Sequence, residues 1–238
     1  MPNILALDAS TDVCSVAMQC NGALSEHFEH LPRQHNQRLF PMLQQLLQGG
    51  DLVAQGIEVL AYNHGPGSFT GLRIAASAVQ GLAYSQGLPV VGVSTLACMA
   101  QGAFSLQQAN EGDVLLVLLD ARINEVYYGY YQICNGLATA LLEDGVAGPG
   151  QVPLPPLPAG KRMLALGNGL AYKDLLPPAV RECFTLTVAD IWPRSSDIIR
   201  LAVPLYLADK TLRPEQVIPV YLRDDIGWKK LSEQGKAV

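Results

Sequence analysis

The sequence predicts an α/β protein built from two similar lobes, each with a mixed sheet flanked by helices. One observation is that the same order of elements occurs twice: a strand ending in aspartate, a polar turn, a long strand and an Asn-Gly pair. The aspartates are Asp8 and Asp120, and the Asn-Gly pairs begin at Asn21 and Asn135. The second observation is composition: 49% of the 238 residues are hydrophobic and only 16% are charged, which suits large buried cores.

The first half alternates strands with two helices. Leu39, Leu43 and Leu46 repeat at helical spacing, and Pro41 within this pattern either kinks the helix or marks its first turn. The second helix is long and ends at Gly87, a residue that favours a left-handed cap. The predicted strands are residues 4–7, 13–20, 24–30, 59–63 and 89–93, and the predicted helices are residues 34–48 and 71–86.

The second half repeats the opening hairpin and adds a further strand and helix. A stretch rich in Pro and Gly, residues 148–160, is expected to form a loop over the second lobe. The predicted strands are residues 114–119, 125–133 and 163–166, followed by a helix at 195–207 and a turn at 213–216. We expect a first lobe at residues 1–108, a second lobe at 109–226 and a polar, flexible tail at 227–238.

Charge and cysteine usage restrict the function classes. The formal net charge is -5, so the chain lacks the basic footprint of a protein that holds a phosphate backbone itself. Any nucleic acid is therefore expected to be held mainly by another subunit. The five cysteines are scattered without a C-x-x-C pair, which favours free thiols in a reducing compartment. With no signal peptide or apolar run of membrane-spanning length, we expect a cytoplasmic protein without membrane association.

The strongest local motif is the glycine-rich stretch from Gly65 to Arg73, between a strand and a helix. Glycines permit close backbone approach, and a helix N-terminus attracts anions. It is not a P-loop, because no lysine follows Gly71. An ordinary tight turn is the alternative. Together with the two hairpin loops and the Gly-Asn-Gly turn, the candidate nucleotide- or anion-binding residues are Asp8, Ser10, Thr11, Gly65, Gly67, Ser68, Thr70, Gly71, Arg122, Gly167 and Gly169.

Two segments carry a resemblance to a known family. The stretches NHGPGSFTGLRIAASAVQGLA (residues 63–83) and ILALDASTDVCSVA (residues 4–17) closely resemble the TsaB (YeaZ) family, and LLDAR, LGNGL and PVYLRD follow in the family's order. The resemblance implies the duplicated fold of actin, Hsp70 and sugar kinases. It also implies a non-catalytic paralogue that pairs with the catalytic subunit TsaD, together with the ATPase TsaE. That assembly transfers a threonylcarbamoyl group to adenosine 37 of tRNAs reading ANN codons.

No catalytic or metal-binding constellation is expected. The family resemblance implies that the catalytic paralogue holds a metal ion through an H-x-x-x-H motif. No two histidines of this chain are four residues apart; they are His27, His30, His35 and His64. The two hairpin loops lack the glycine of D-x-G phosphate loops, and no G-x-S-x-G elbow is present. We therefore expect no intrinsic cofactor, with ATP or ADP bound weakly or at a shared interface. One alternative is an actin-like ATPase or kinase acting alone, and the other is a TsaD-like metalloprotein or peptidase. If Mg²⁺ is bound, Asp8 and Asp120 are the residues expected to hold it.

The small and large apolar residues of the two predicted helices suggest a docking face. Small residues let a second helix approach closely, and leucines supply buried area. The partner would be TsaD, or a second copy of this chain when TsaD is absent, and tRNA would bind only through the complex. The alternative is that both stripes face their own sheet. The predicted interface residues are Leu39, Leu43, Leu46, Leu72, Ala75, Ala76, Val79, Leu82 and Ala83.

Overall fold

A computed structural model of the protein describes residues 1–223, and the predicted tail at 227–238 lies outside the described residues. Two mixed sheets flanked by helices confirm the predicted fold class. The first sheet has the order β3-β2-β1-β4-β5. Its strands are β1 (Ile4–Asp8), β2 (Val13–Cys20), β3 (Ala23–His30), β4 (Val59–Gly65) and β5 (Val90–Ser94).

The first sheet joins an antiparallel hairpin to parallel strands. β2 runs antiparallel to β1 and β3, whereas β4 is parallel to both β1 and β5. Because side chains alternate along a strand, Leu5 and Leu7 lie in one core cluster and Ile4 and Ala6 in another. Both faces of the sheet are therefore buried.

Two helices cover the face that carries Leu5 and Leu7: α1 (His35–Leu46) and α2 (Phe69–Gln86). Pro41 lies inside α1 and not at its first turn. α2 ends as predicted at Gly87, which has φ 65° and donates its N–H to the Ala83 carbonyl.

The second sheet repeats the connectivity of the first. It has the order β11-β10-β6-β7-β8, with β9 paired to β7. β7 is antiparallel to β6, and β10 is parallel to both β6 and β11. This repetition confirms the duplication predicted from the two hairpins. The strands are β6 (Val114–Arg122), β7 (Glu125–Cys134), β8 (Leu137–Ala140), β9 (Gly145–Ala147), β10 (Met163–Leu166) and β11 (Leu186–Val188).

The helices that follow each sheet pack mainly on the opposite lobe. α3 (Thr95–Ser105), which follows β5, places Leu96 and Met99 in the core of the second sheet. A short α4 (Pro178–Arg181) precedes α5 (Ser195–Leu207), whose Ile198 and Ile199 pack on the first sheet. Burial of apolar faces thus exchanges these two helices between the two sheets, and the lobe ranges 1–108 and 109–226 stay predictions.

A C-terminal strap, residues 212–223, returns to the first lobe. Leu212 and Val90 exchange backbone hydrogen bonds of 2.7 and 2.9 Å, and the Val220 N–H donates to the His64 carbonyl at 2.7 Å. The strap includes a short 3-10 helix, Pro214–Gln216, where the sequence predicted a turn. It ends, among the described residues, with Arg223 against the second lobe. The strap thus connects the two lobes at one edge.

Candidate functional site

The cavity between the lobes is the candidate ligand site. It has a volume of about 840 Å³ and lies where the hairpin loops of both lobes meet the N-terminus of α2. Six predicted residues line it: Ser10, Thr11, Gly67, Ser68, Thr70 and Gly71. Arg122 lines it from the second lobe. Asp8, Gly65, Gly167 and Gly169 do not belong to its lining.

The glycines of the loop before α2 bring two backbone segments together. A Cβ built on Gly67 would lie 2.2 Å from the Ser10 carbonyl oxygen, and one on Gly71 would lie 1.9 Å from that of Ala9. The Ser68 N–H also donates to the Ser10 carbonyl at 2.7 Å. These glycines therefore let the loop before α2 pack against the end of β1. The close backbone approach that glycines permit is made here to the chain itself.

A residue of the glycine-rich stretch caps the N-terminus of α2. Ser68 is the N-cap, and its hydroxyl accepts a hydrogen bond from the Gly71 N–H at 3.3 Å. Thr70 lies inside the helix and lines the cavity. Gly65 has φ 130°, and a Cβ there would meet the Val220 carbonyl oxygen of the strap at 2.4 Å. Gly65 therefore packs against the strap.

The two glycines of the Gly-Asn-Gly turn also pack against the backbone of the chain itself. A Cβ on Gly167 would lie 2.3 Å from the Leu118 carbonyl oxygen, and one on Gly169 would lie 2.7 Å from the Leu118 carbonyl carbon. Asn168 between them lines the cavity and accepts a hydrogen bond from the Asp120 N–H at 2.9 Å. The sequence placed the two glycines in the site, whereas the structure places the asparagine there.

The second hairpin loop presents a cation at the cavity mouth. Arg122, Ile123 and Asn124 all have positive φ, between 53° and 63°. Asp120 accepts from the Arg122 N–H at 2.8 Å and lies 3.4 Å from its guanidinium, whose side chain is 78% exposed. This exposed pair leaves the guanidinium free to contact an anionic group.

Two lining arginines were not predicted. Arg33 reaches the cavity from the segment before α1, and Arg223 reaches it from the strap. Arg223 donates to the Ala121 carbonyl at 3.0 Å and forms a short ion pair with Glu125. Arg33 lies in none of the motifs named above, whereas Arg223 lies in the PVYLRD segment, which assigned it no role.

The first hairpin aspartate is buried below the cavity. Asp8 is fully buried and accepts hydrogen bonds from the Ser10 N–H at 3.1 Å and from the Asn63 amide at 2.9 Å. Burial raises the pKa of Asp8 to about 6, against the lowering effect of the hydrogen bonds from Ser10 and Asn63 and of nearby His35. Its position below the cavity floor corrects the prediction that Asp8 contacts a nucleotide.

The histidines make separate contacts. His35 of α1 places Nε2 3.1 Å from the Val13 carbonyl oxygen, and burial lowers the pKa of His64. Among residues 1–223, no group of three or more His, Cys, Asp or Glu side chains is close enough to hold a metal ion. In the same part of the chain, no helix combines the length and apolar character needed to cross a membrane.

The predicted docking stripe faces inward. Leu82 is half-buried, and the other eight predicted interface residues are buried in the chain's own cores. The stripe is therefore corrected, because these side chains hold α1 and α2 on their sheet. The same helices have outward faces that carry exposed aromatic rings: Phe40 is 50% exposed, Phe69 44% and Tyr84 71%. Arg73 lies over the Phe69 ring at 3.9 Å and donates to the Tyr221 hydroxyl at 3.0 Å.

Two lobes with the same strand order, separated by a cleft, define a duplicated two-lobed α/β protein. The family model described as "TsaD: tRNA N6-adenosine threonylcarbamoyltransferase" matches residues 28–187. The tRNA threonylcarbamoyladenosine biosynthesis protein TsaB of Escherichia coli strain K12 is 38% identical over 96% of this chain and 97% of its own length. The chain belongs to the TsaB family.

Solved structures agree with this assignment. YeaZ from Pseudomonas aeruginosa superposes with a TM-score of 0.85 at 36% identity, over 93% of this chain and 100% of that one. A structure described as an uncharacterized protein with similarity to peptidase YEAZ, also from Pseudomonas aeruginosa, has a TM-score of 0.85 at 37% identity, over 94% of this chain and 100% of that one. The similarity extends through both lobes.

Proposed function

We propose that this chain is a non-catalytic subunit of tRNA threonylcarbamoyladenosine biosynthesis, which binds TsaD and activates threonylcarbamoyl transfer to adenosine 37 of tRNAs reading ANN codons. Membership of a family of biosynthesis proteins supports the pathway. The observation that carries the docking role is the outward face of α1 and α2, where Phe40, Phe69 and Tyr84 are exposed. Exposed aromatic side chains are typical anchors of protein interfaces.

The cavity supports a secondary, anion-binding role. Arg33, Arg122 and Arg223 line it together with Thr70 at the start of α2, and Asp12 and Asp120 also line it, so its arginines would be the groups that contact a weakly bound ATP or ADP, alone or at an interface with TsaD. The glycines needed for backbone approach to phosphates are packed against the chain itself. A lone ATPase is therefore the weaker alternative. The peptidase alternative lacks a G-x-S-x-G nucleophile in the sequence.

The assembly proposal extends to three further partners. A second copy of this chain would use the same outward face when TsaD is absent, and TsaE would join the complex with TsaD. With a net charge of -5, this subunit would contact tRNA only through the complex.

A charge on the outward face tests the docking role. Ala76→Glu is unsuitable, because Ala76 is buried and a charge there would unfold the lobe. Ser77, the next residue along α2, is exposed, and Ser77→Glu is expected to reduce co-purification with TsaD at least tenfold while the thermal midpoint of the isolated chain stays unchanged. Thr139→Glu, at an exposed position of β8, is the matched control and should bind TsaD normally.

The readouts separate the alternatives. Pull-down with TsaD, with and without ATP, measures docking. Formation of the modified nucleoside with TsaD, TsaE, ATP and threonylcarbamoyl-adenylate measures activation. If Ser77→Glu binds TsaD as well as Thr139→Glu does, the chosen face is wrong. If the isolated chain hydrolyses ATP with multiple turnovers, the non-catalytic role is wrong.

A further inference from the structure

Unpaired polar atoms meet at the carboxyl ends of two adjacent strands. β1 and β4 pair in parallel with Leu7 beside Tyr62, so Asp8 and Asn63 are the next pair in register. Both are fully buried, and the Asn63 amide donates to Oδ1 of Asp8 at 2.9 Å. The other two oxygens of the pair, Oδ2 of Asp8 and Oδ1 of Asn63, have no hydrogen-bond partner, and neither has the buried hydroxyl of Ser10.

An ionised Asp8 leaves this arrangement unsatisfied. A carboxylate only accepts hydrogen bonds, and so does the amide oxygen of asparagine. Two buried acceptors on neighbouring side chains would each lose the free energy of solvation without replacement. A protonated carboxyl, in contrast, offers one donor and one acceptor side by side, which matches the acceptor and donor of a primary amide.

We propose that Asp8 is a neutral carboxylic acid at physiological pH and forms a reciprocal, two-hydrogen-bond pair with Asn63. The Asn63 Nδ2–H donates to Asp8 Oδ1, and the Asp8 Oδ2–H donates to Asn63 Oδ1. The pair joins β1 to β4 beneath the cavity floor. It also removes the first-strand carboxylate from the groups that could hold Mg²⁺ in the cavity, leaving Asp120 as the only member of the predicted magnesium pair that lines it.

The surroundings of Asp8 favour the acid. Burial raises its pKa to about 6 even though donors on Ser10 and Asn63 lower it, and a hydrogen bond that only the acid can donate raises the pKa further. His35 of α1 opposes this rise. The thiols that face Asp8 are Cys14 of β2 and Cys98 of α3, and burial raises the pKa of both, which keeps them uncharged. Asp197 of α5 lies beyond Cys98.

A cation held by an ionised Asp8 is the competing account. It would need further anionic ligands, yet residues 1–223 contain no group of three or more His, Cys, Asp or Glu side chains suited to a metal ion. Asp8 is also closed off from the cavity by Ser10 and by the loop that packs on it. Reciprocal pairing satisfies both unpaired oxygens without an added ion.

Infrared spectroscopy of the whole chain at pH 7 tests the protonation state directly. The wild-type minus Asp8→Asn difference spectrum is expected to contain the carbonyl band of a protonated carboxylic acid. Asp174→Asn, at an exposed surface position, is the control, and its difference spectrum should lack the carbonyl band of a protonated carboxylic acid. A carboxylate-only difference for Asp8→Asn at pH 7 would overturn the proposal.

Exchange of the two side chains tests the pairing. Asp8→Asn keeps one donor and one acceptor at position 8 and is expected to keep or raise the urea midpoint at pH 8. Asn63→Asp places two carboxyl groups together and is expected to lower that midpoint, more at pH 8 than at pH 5. The double variant restores an acid–amide pair in the opposite order and should recover most of the loss. No recovery would contradict the proposal, and so would stabilisation by Mg²⁺ of the wild type that is absent in Asp8→Asn.

Discussion

Two glycines of the same helix give opposite predictions for the same substitution. Gly71 lies in the first turn of α2, and a Cβ there would lie 1.9 Å from the Ala9 carbonyl oxygen. Gly81 lies ten residues further along, is exposed and has no heavy atom within 4 Å of a Cβ. Both gain the same backbone preference when changed to alanine, so the difference between the two variants isolates the contact with β1.

The expected magnitudes follow from this geometry. In Gly71→Ala the contact must open from 1.9 Å to at least 3.0 Å, and its partner is backbone, which cannot rotate away. Displacing α2 from the end of β1 is expected to cost roughly 3 kcal/mol, at the upper end of overpacking effects. Gly81→Ala is expected to stabilise the chain by about 0.5–1 kcal/mol.

Urea unfolding followed by far-ultraviolet circular dichroism measures both variants at one low protein concentration. The expected result is a lower midpoint for Gly71→Ala and a slightly higher one for Gly81→Ala, with similar slopes. Equal midpoints for the two variants would refute the close approach of the α2 loop to β1. The loop would then be free to accept a ligand, as the anion-binding interpretation of the motif requires.

Two further predictions concern charged groups away from this loop. Burial raises the pKa of Asp197 to about 6, against a hydrogen bond donated by Ser105, so the folded chain binds this proton more tightly than the unfolded chain. That stabilisation is present below about pH 4 and is lost as pH rises through 6. The effect of Asp197→Asn on the free energy of unfolding should therefore be more stabilising at pH 7 than at pH 4, by up to about 3 kcal/mol, measured in urea titrations. Arg223→Ala removes the contacts with the Ala121 carbonyl and with Glu125. It is expected to lower the free energy of unfolding by about 1 kcal/mol. Proteolysis of the strap, measured by limited digestion, should become faster.

Each of these results has a contradicting outcome. A pH-independent effect of Asp197→Asn would mean that the carboxyl titrates normally in the folded chain. Unchanged stability and digestion in Arg223→Ala would mean that the strap is held by its contacts with the first lobe alone.

The duplication was predictable because its signals are local. Each Asn-Gly pair and each strand-ending aspartate can be recognised within a few residues, and the repeated order then gives the topology. The helix α3 was missed for a physical reason. Eight of its eleven residues are buried, including Thr95, Gln101 and Gly102, so it has no polar face and no amphipathic period to detect.

The contacts made by the site residues were less predictable, because a sequence motif does not show which atoms its residues will contact. The glycines of the motif indicated close backbone approach, and that was correct in kind. The backbone they approach belongs to Ala9 and Ser10, about sixty residues earlier. The leucine and alanine stripes likewise predicted buried helix faces, but the pattern is the same whether a stripe faces its own sheet or a partner.

Most of the groups in this cleft that would suit binding of phosphate or magnesium already make contacts within the chain. Gly67 and Gly71 hold the β1 loop, Gly167 packs on β6, and Asp8 is bonded to Asn63. Freeing any of them would expose buried backbone or leave buried polar atoms unpaired, at a cost comparable to a large part of the stability of a typical domain. On the outward face of α1 and α2, Phe69 and Arg73 contact Tyr221 of the strap, whereas Phe40 is 50% exposed and Tyr84 71% exposed. Docking therefore requires no rearrangement of the fold, whereas phosphate chemistry of the kind the motif suggests would require one.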